Sequence, residues 1–231
     1  MNKKINISII GTRGYPYVYS GYETFVKQLS ERLVLKDCNV TVYCHKGLFE
    51  IRPKEIKGIK LVYIPTIETK ILSQPIHSFL SIIHACFSNT DVLLVVNSAN
   101  GPFGLLTKLF RIPTAINVDG LEWLRPKWIG LGSIYFKWAS KMATLFYDQI
   151  INDSEEMRKV YLNLFKRDSK VIAYGANIRK SKNADLINEW NIKQREYYLV
   201  IGRLIPDNNA DLIIKGFLKS NSNKKLVIVG D

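Results

Sequence analysis

Short apolar runs alternate with longer segments of helical period along the chain. The runs at 5–10 (INISII), 39–44 (NVTVYC), 59–64 (IKLVYI), 91–96 (DVLLVV), 113–118 (PTAINV), 149–152 (QIIN) and 169–174 (SKVIAY) predict strands. Several are apolar at consecutive positions, as in a parallel sheet that helices cover on both faces. Between them, residues 22–36 place Phe25, Leu29 and Leu33 on one stripe of a helix. Asp153 and Glu156 have capping-box spacing ahead of Met157, Val160, Tyr161 and Leu164 on an apolar face. This βαβα order predicts an α/β fold, with a doubly wound parallel-sheet, Rossmann-like domain over residues 1–175.

Residues 175–196 are polar and basic, rich in Asn and Lys, and read as a connection with one short helix near 184–191. Strand, helix and strand patterns restart at 197–202, 210–220 and 225–230. A strand covered on both faces needs a following helix and neighbouring strands. Residues 176–231 are therefore expected to be a linker and the beginning of a second Rossmann-like domain, cut after its first repeat or two.

Composition narrows the partners. Of 231 residues, 47% are hydrophobic, ample for a core, and the formal charge of +13 attracts nucleic acid, phospholipid surfaces or phosphorylated small molecules. Cys38, Cys44 and Cys86 have neither CxxC spacing nor an even count, which argues against a disulfide framework or zinc site and for a reducing compartment. The basic start is followed by an apolar stretch too short for a signal peptide, and no segment reaches the roughly 18 apolar residues of a spanning helix. A cytoplasmic protein without a membrane span is expected.

The stretch 9–29 (IIGTRGYPYVYSGYETFVKQL) lies where open α/β sheets bind ligands, beyond the carboxyl end of a strand. Glycines permit close approach, and unpaired N–H groups at a helix start suit phosphate. A glycine-rich turn without a ligand is the alternative. Gly11 and Gly14 give G-x-x-G, not the dinucleotide G-x-G-x-x-G, and the second strand ends in Cys44-His45-Lys46 with no carboxylate for a ribose. A P-loop G-K-[ST] is absent. Both classes lose ground.

Five ordered motifs, GTRGYP…YSGYETFVKQL, NVDGLEWLRPKW (117–128), INDSE (151–155), YGA (174–176) and YYLVIGRLIPDNN (197–209), resemble bacterial family-4 glycosyltransferases of the GT-B fold. The nearest subgroup is the rhamnosyltransferase-like enzymes of capsular and exopolysaccharide synthesis. The resemblance implies two facing Rossmann-like domains, the first mainly for the acceptor and the second mainly for the sugar nucleotide. It also implies transfer with formal retention and no metal or other cofactor.

Carried onto this chain, Gly14 and Gly21 belong to the loop that closes on the donor, and Arg203 neutralises the diphosphate leaving group. Asn208 and Asn209 stand, with Asp207, where many members have a lysine, so phosphate neutralisation rests more heavily on Arg203. Asp119 stands where many members have His. It would orient an acceptor hydroxyl or accept its proton, although Asp-Gly is also an ordinary turn. The family's pair of glutamates for donor sugar and ribose falls beyond residue 231, so the chain by itself is expected to be inactive or nearly so.

Residues 121–147 hold three of the four tryptophans with Arg125, Lys127, Lys137 and Lys141, and helical spacing groups Ile134, Trp138, Lys141 and Leu145. A core helix with solvated lysines is one reading. An anionic inner-membrane surface is the other, which four basic residues would hold by about 4 kcal/mol. That docking suits a polyprenyl-diphosphate-linked sugar acceptor. Tyr15, Glu122, Trp123 and Arg125 are the acceptor-side candidates, the last three also able simply to cap or pack the next helix. Tyr17, Tyr19 and Tyr22 combine ring and hydroxyl contacts, while Glu23 is expected to complement the helix dipole.

Two rival functions remain: an NAD-dependent Rossmann oxidoreductase, weakened by the absent fingerprint, and a non-catalytic anion-binding protein, which leaves the ordered motifs unexplained. Nucleic acid is not the expected partner.

Overall fold

We describe the protein from a computed structural model covering residues 3–17, 20–67, 69, 72–118, 120–126, 128–178, 180–181 and 183–230, with backbone alone at positions 184 and 207. Two compact units make up the chain, one of residues 1–123 and 130–174 and one of residues 124–129 and 175–231. Asp119, Tyr19 and Lys127 lie outside the described residues.

The first unit runs β1 (Asn6–Ile10), α1 (Gly21–Leu35), β2 (Asn39–His45), β3 (Glu55–Ile56), β4 (Ile59–Ile64), α2 (Ser73–Cys86), β5 (Val92–Val96), α3 (Gly104–Leu109), β6 (Thr114–Val118), α4 (Leu131–Phe146), β7 (Gln149–Asn152), α5 (Glu155–Phe165) and β8 (Lys170–Val171). Its sheet has the order β3-β4-β2-β1-β5-β6-β7-β8. Every neighbouring pair is parallel except β3 with β4. The chain moves outward one way from β1 and returns at β5 to move the other way. The switch point therefore falls between the carboxyl ends of β1 and β5, where doubly wound sheets open a crevice.

The near-continuous apolar strands are explained by cover on both faces. Ile9, Val40, Val42, Ile59, Leu61 and Val96 pack with Val26, Leu29 and Leu33 of α1. A second cluster gathers Ile10, Ile64, Leu93, Val95, Ile116, Val118 and Ile150 with Ile82 and Ala85 of α2, Ala143 of α4 and Tyr161 of α5. No helix among the described residues is long and apolar enough to cross a membrane.

Two local expectations need correction. The cap of α5 is Ser154, whose Oγ accepts the Met157 N–H at 3.4 Å, rather than Asp153. The run 169–174 supplies only a two-residue edge strand: after Ile172 N–H donates to the Asn152 carbonyl at 2.8 Å, the chain leaves the sheet. The segment of helical period between β4 and β5 forms α2.

In the second unit β9 (Tyr197–Ile201) and β10 (Lys225–Val229) pair in parallel around α6 (Ala210–Lys219), after a 3-10 segment at Ala184–Trp190. Two strands and one helix bury little: α6 has no buried residue, and Leu199, Ile201, Leu212 and Leu218 are exposed.

Candidate functional site

The loop after β1 is pressed onto its neighbours. Gly11, at φ 109°, leaves only 2.3 Å between the place of a Cβ and the Val96 carbonyl oxygen, and Gly14, at φ 127°, only 2.7 Å to Cys44 Cβ and Sγ. No L side chain fits either position without moving backbone. The Arg13 carbonyl accepts the His45 N–H at 3.0 Å, and the Arg13 N–H donates to Glu23 Oε1 at 3.1 Å. Ser20 Oγ donates to the other Glu23 oxygen. Glu23 is 5% exposed. It therefore clamps both ends of the loop to α1, beyond the dipole role expected of it. Gly21 opens α1 with no atom within 4 Å of where a Cβ would sit, so the helix start is sterically open.

Tyr15 does something other than expected. Its ring is 1% exposed and its hydroxyl donates to Glu31 Oε1 at 2.8 Å. Burial first, then this bond, push the phenol well above its ordinary pKa. The Glu31 carboxyl is held below its usual range by the Tyr15 bond and next by Lys57, 3.1 Å away. Tyr15 thus ties the loop to α1 instead of presenting a ring to an acceptor. Tyr17, half-buried, sets its ring edge on Phe49 with centroids 6.1 Å apart.

At the carboxyl end of β6 three of the sequence motifs meet. The Tyr174 hydroxyl donates to Asn117 Oδ1 at 2.7 Å, and the Tyr174 ring lies 5.2 Å from that of Phe25 on α1. Asn117 is buried, and its carbonyl accepts the N–H of Asn97, which follows β5 at φ 77°. The Asn97 side chain in turn accepts the Ala99 N–H at 2.9 Å, and Asn100 Nδ2 donates to the Val96 carbonyl at 2.7 Å. The ends of β5 and β6 are thereby fixed in register, and Tyr174 is brought to the strand end that precedes position 119. Sequence reading overlooked Tyr174, Asn97 and Asn100; the YGA motif was the available signal for the first.

Glu122 is half-buried just after this strand end, in the 3-10 turn Glu122–Leu124. Trp123 departs from expectation: 8% exposed, its ring stands edge-on to Phe165 at 6.1 Å, and its carbonyl accepts Ser133 Oγ–H at 2.7 Å. It packs the start of α4 rather than offering a free ring to a sugar. Arg125 falls in the second unit, half-buried, its carbonyl accepting the Trp128 N–H at 2.9 Å.

In the second unit Arg203 is exposed just past the carboxyl end of β9. The Asn208 carboxamide donates to the Arg203 carbonyl at 2.7 Å, so Asn208 shapes the arginine loop. Asn209, at φ 51°, is the N-cap position of α6. Among the described residues no three His, Cys, Asp or Glu side chains gather as a metal site would require.

Comparison with known proteins supplies a fold and a family. HepE of Anabaena, solved with UDP and glucose, superposes with a TM-score of 0.67 at 14% identity, over 99% of this chain and 61% of that one. The apo lipopolysaccharide outer core galactosyltransferase WaaB superposes with a TM-score of 0.55 at 14% identity, over 98% of this chain and 60% of that one. UGT89C1 of Arabidopsis thaliana, complexed with UDP-L-rhamnose, gives 0.54 at 12% identity, over 100% and 66%. The fold is thus that of the GT-B glycosyltransferases, and the chain spans about three-fifths of the length of HepE and WaaB. No curated protein matches the sequence. Residues 4–177 match a domain of unknown function, DUF1972, and the chain belongs to that family.

Proposed function

We propose that this chain belongs to a nucleotide-sugar-dependent glycosyltransferase that elongates a lipid-linked saccharide for surface polysaccharide, with L-rhamnose the first sugar to test. Residues 1–175 serve the acceptor and residues 176–231 contribute to the sugar-nucleotide domain. The observation that carries this reading is the meeting of Phe25, Asn117 and Tyr174 at the carboxyl end of β6. Three separate motifs of the sequence resemblance converge there, beside the switch point where such sheets bind ligands. HepE, solved with UDP and glucose, and UGT89C1, solved with UDP-L-rhamnose, support the donor class.

In the proposed reaction an acceptor hydroxyl oxygen bonds to the anomeric carbon as the carbon–oxygen bond to the diphosphate breaks. The nucleoside diphosphate leaves with the electron pair, and the configuration is retained. Asp119 orients the hydroxyl or takes its proton, and Arg203 meets the charge that grows on the leaving diphosphate. Gly14 seats the first loop on β2, and Gly21 leaves the helix start open to the donor, while Asn208 and Asn209 shape the turn that carries Arg203. On the acceptor side Glu122 and Arg125 are the polar candidates.

An anionic cytoplasmic membrane surface is the proposed partner of α4. Phe136, Ala139, Ser140 and Ala143 form its buried side, which leaves Ile134 65% exposed and Trp138 47% exposed beside exposed Lys137, Lys141 and Leu145. Tryptophan, aliphatic and lysine side chains sharing a solvent face suit the headgroup layer and a peripheral location.

The test is an assay of the protein expressed from its whole reading frame, with radiolabelled UDP-, GDP- and dTDP-sugars and a membrane lipid extract. Label entering the lipid fraction from one donor is expected. No transfer from any donor, with nicotinamide cofactor binding instead, would overturn the assignment.

A further inference from the structure

At the amino end of the sheet, opposite to the ligand-binding strand ends, a groove of about 330 Å³ opens on the face that α2 only partly covers. Ser8, Thr41 and Lys60 project there from adjacent strands, since Ser8 pairs with Thr41 and Thr41 with Lys60. Tyr43 forms the floor, and His84 and Ser88 close the groove where α2 ends. A doubly wound sheet fills such strand positions with apolar residues where a helix covers them. Here they carry the Ser8 and Thr41 hydroxyls, the former 2.9 Å from Thr90 Oγ1, and the Lys60 ammonium.

The hydrogen bonding of the floor fixes what it offers. Ser88 Oγ donates to the His84 carbonyl at 2.7 Å, and the Tyr43 hydroxyl lies 3.0 Å from His84 Nδ1. His84 Nδ1 thus sits between the Tyr43 hydroxyl and Ser88 Oγ, 3.1 Å away, so phenol, imidazole and serine share one hydrogen-bonded floor. Burial pushes the Tyr43 phenol to about 12, so it remains protonated. Thr41 and Lys60 add donors. Val62 supplies an apolar strip, and His84 an exposed ring edge.

Charge at the groove is balanced and gives an anion no advantage. Glu55 stands directly across from Lys60 on β3, and the carboxyl end of α2, with its negative partial charge, points to the groove. The volume is at the small end of ligand sites, roughly 300–1,000 Å³.

We propose that this groove is a binding site for a neutral polyhydroxylated ligand of monosaccharide size, separate from the strand ends assigned to catalysis. Mixed hydroxyl donors and acceptors around a short apolar strip match the alternating C–H and O–H faces of a sugar ring. The site stands whether or not the chain transfers sugars.

Amide-resolved NMR titration of the protein with D-glucose, L-rhamnose and, separately, inorganic phosphate tests it. Saturable shifts are expected at Ser8, Thr41 and residues 88–90 with at least one sugar and not with phosphate. Thr41→Val, which keeps strand shape, and Ser88→Ala should each weaken sugar binding about tenfold or more while leaving the rest of the spectrum intact. Three results overturn the proposal: no saturable shift with either sugar, stronger binding of phosphate at these residues, or unchanged sugar affinity in both variants.

Discussion

A single buried carboxylate holds the glycine-rich loop in place. Glu23 receives the Arg13 N–H and the Ser20 hydroxyl, both from the segment that the two crowded glycines force against β2 and β5. Glu23→Ala leaves those donors without their acceptor, and the expected cost is about 1–3 kcal/mol. Urea unfolding of the variant should show a lower midpoint at unchanged slope, whereas an unaltered midpoint would mean that solvent replaces the carboxylate freely. The same loop shows where residue-level reading of a sequence stops. Tyrosine and tryptophan carry both an apolar body and a polar handle, so Tyr15 and Trp123 are equally credible as ligand contacts and as core. Only the surroundings decide, and Glu31 and Phe165 place them in the core. Arg203, by contrast, falls where strand and turn patterning locate it, because the end of β9 is set by its apolar run.

At the scale of elements, strands were legible where apolar residues stand consecutively, as at the carboxyl halves of β1, β2 and β4 and through β5. The buried face of helix α2 was not, because it carries His77, Ser78 and Ser81 while Phe79 and Leu80 are exposed, inverting the usual contrast. His77 stacks on His45 of β2 with ring centroids 3.9 Å apart. Burial first, and the neighbouring His45 second, lower His77 from its ordinary 6.5 to about 3. The unfolded chain gains a proton here as the pH falls below 6.5, while the folded chain does not until about 3. Stability from this group is therefore full above 6.5 and declines below it, by about 2 kcal/mol at pH 5. His77→Phe should reduce the stability difference between pH 7 and pH 5 in urea titrations; identical differences in both proteins would contradict it.

The outer side of α4 makes a separate prediction. Removing the charges of Lys137 and Lys141 together, as Lys137→Gln and Lys141→Gln, should cost about 2 kcal/mol of binding to anionic vesicles, roughly thirtyfold. Binding to neutral vesicles should hardly change. Vesicle flotation reads both, and equal loss on the two lipids would point to a structural effect.

For the whole molecule, the sequence order of strands and helices was enough to indicate a doubly wound sheet, and the solved relatives share its GT-B fold. The turn of strand order at β1 and β5 follows from chain connectivity, yet the contact of Tyr174 with Asn117 spans 57 residues and has no local signature. A motif such as YGA could mark that residue as notable without saying what it touches. The net charge of +13 agrees with anionic donors and an anionic surface alike, so charge alone does not rank them.

The most direct measurement is donor-dependent sugar transfer to lipid by the protein expressed from its whole reading frame, comparing the native protein with Arg203→Ala and Arg203→Lys. Loss of a charge placed against the departing diphosphate should lower kcat about 10²–10³-fold in Arg203→Ala, with partial recovery in Arg203→Lys. Transfer at the native rate by Arg203→Ala would contradict the account.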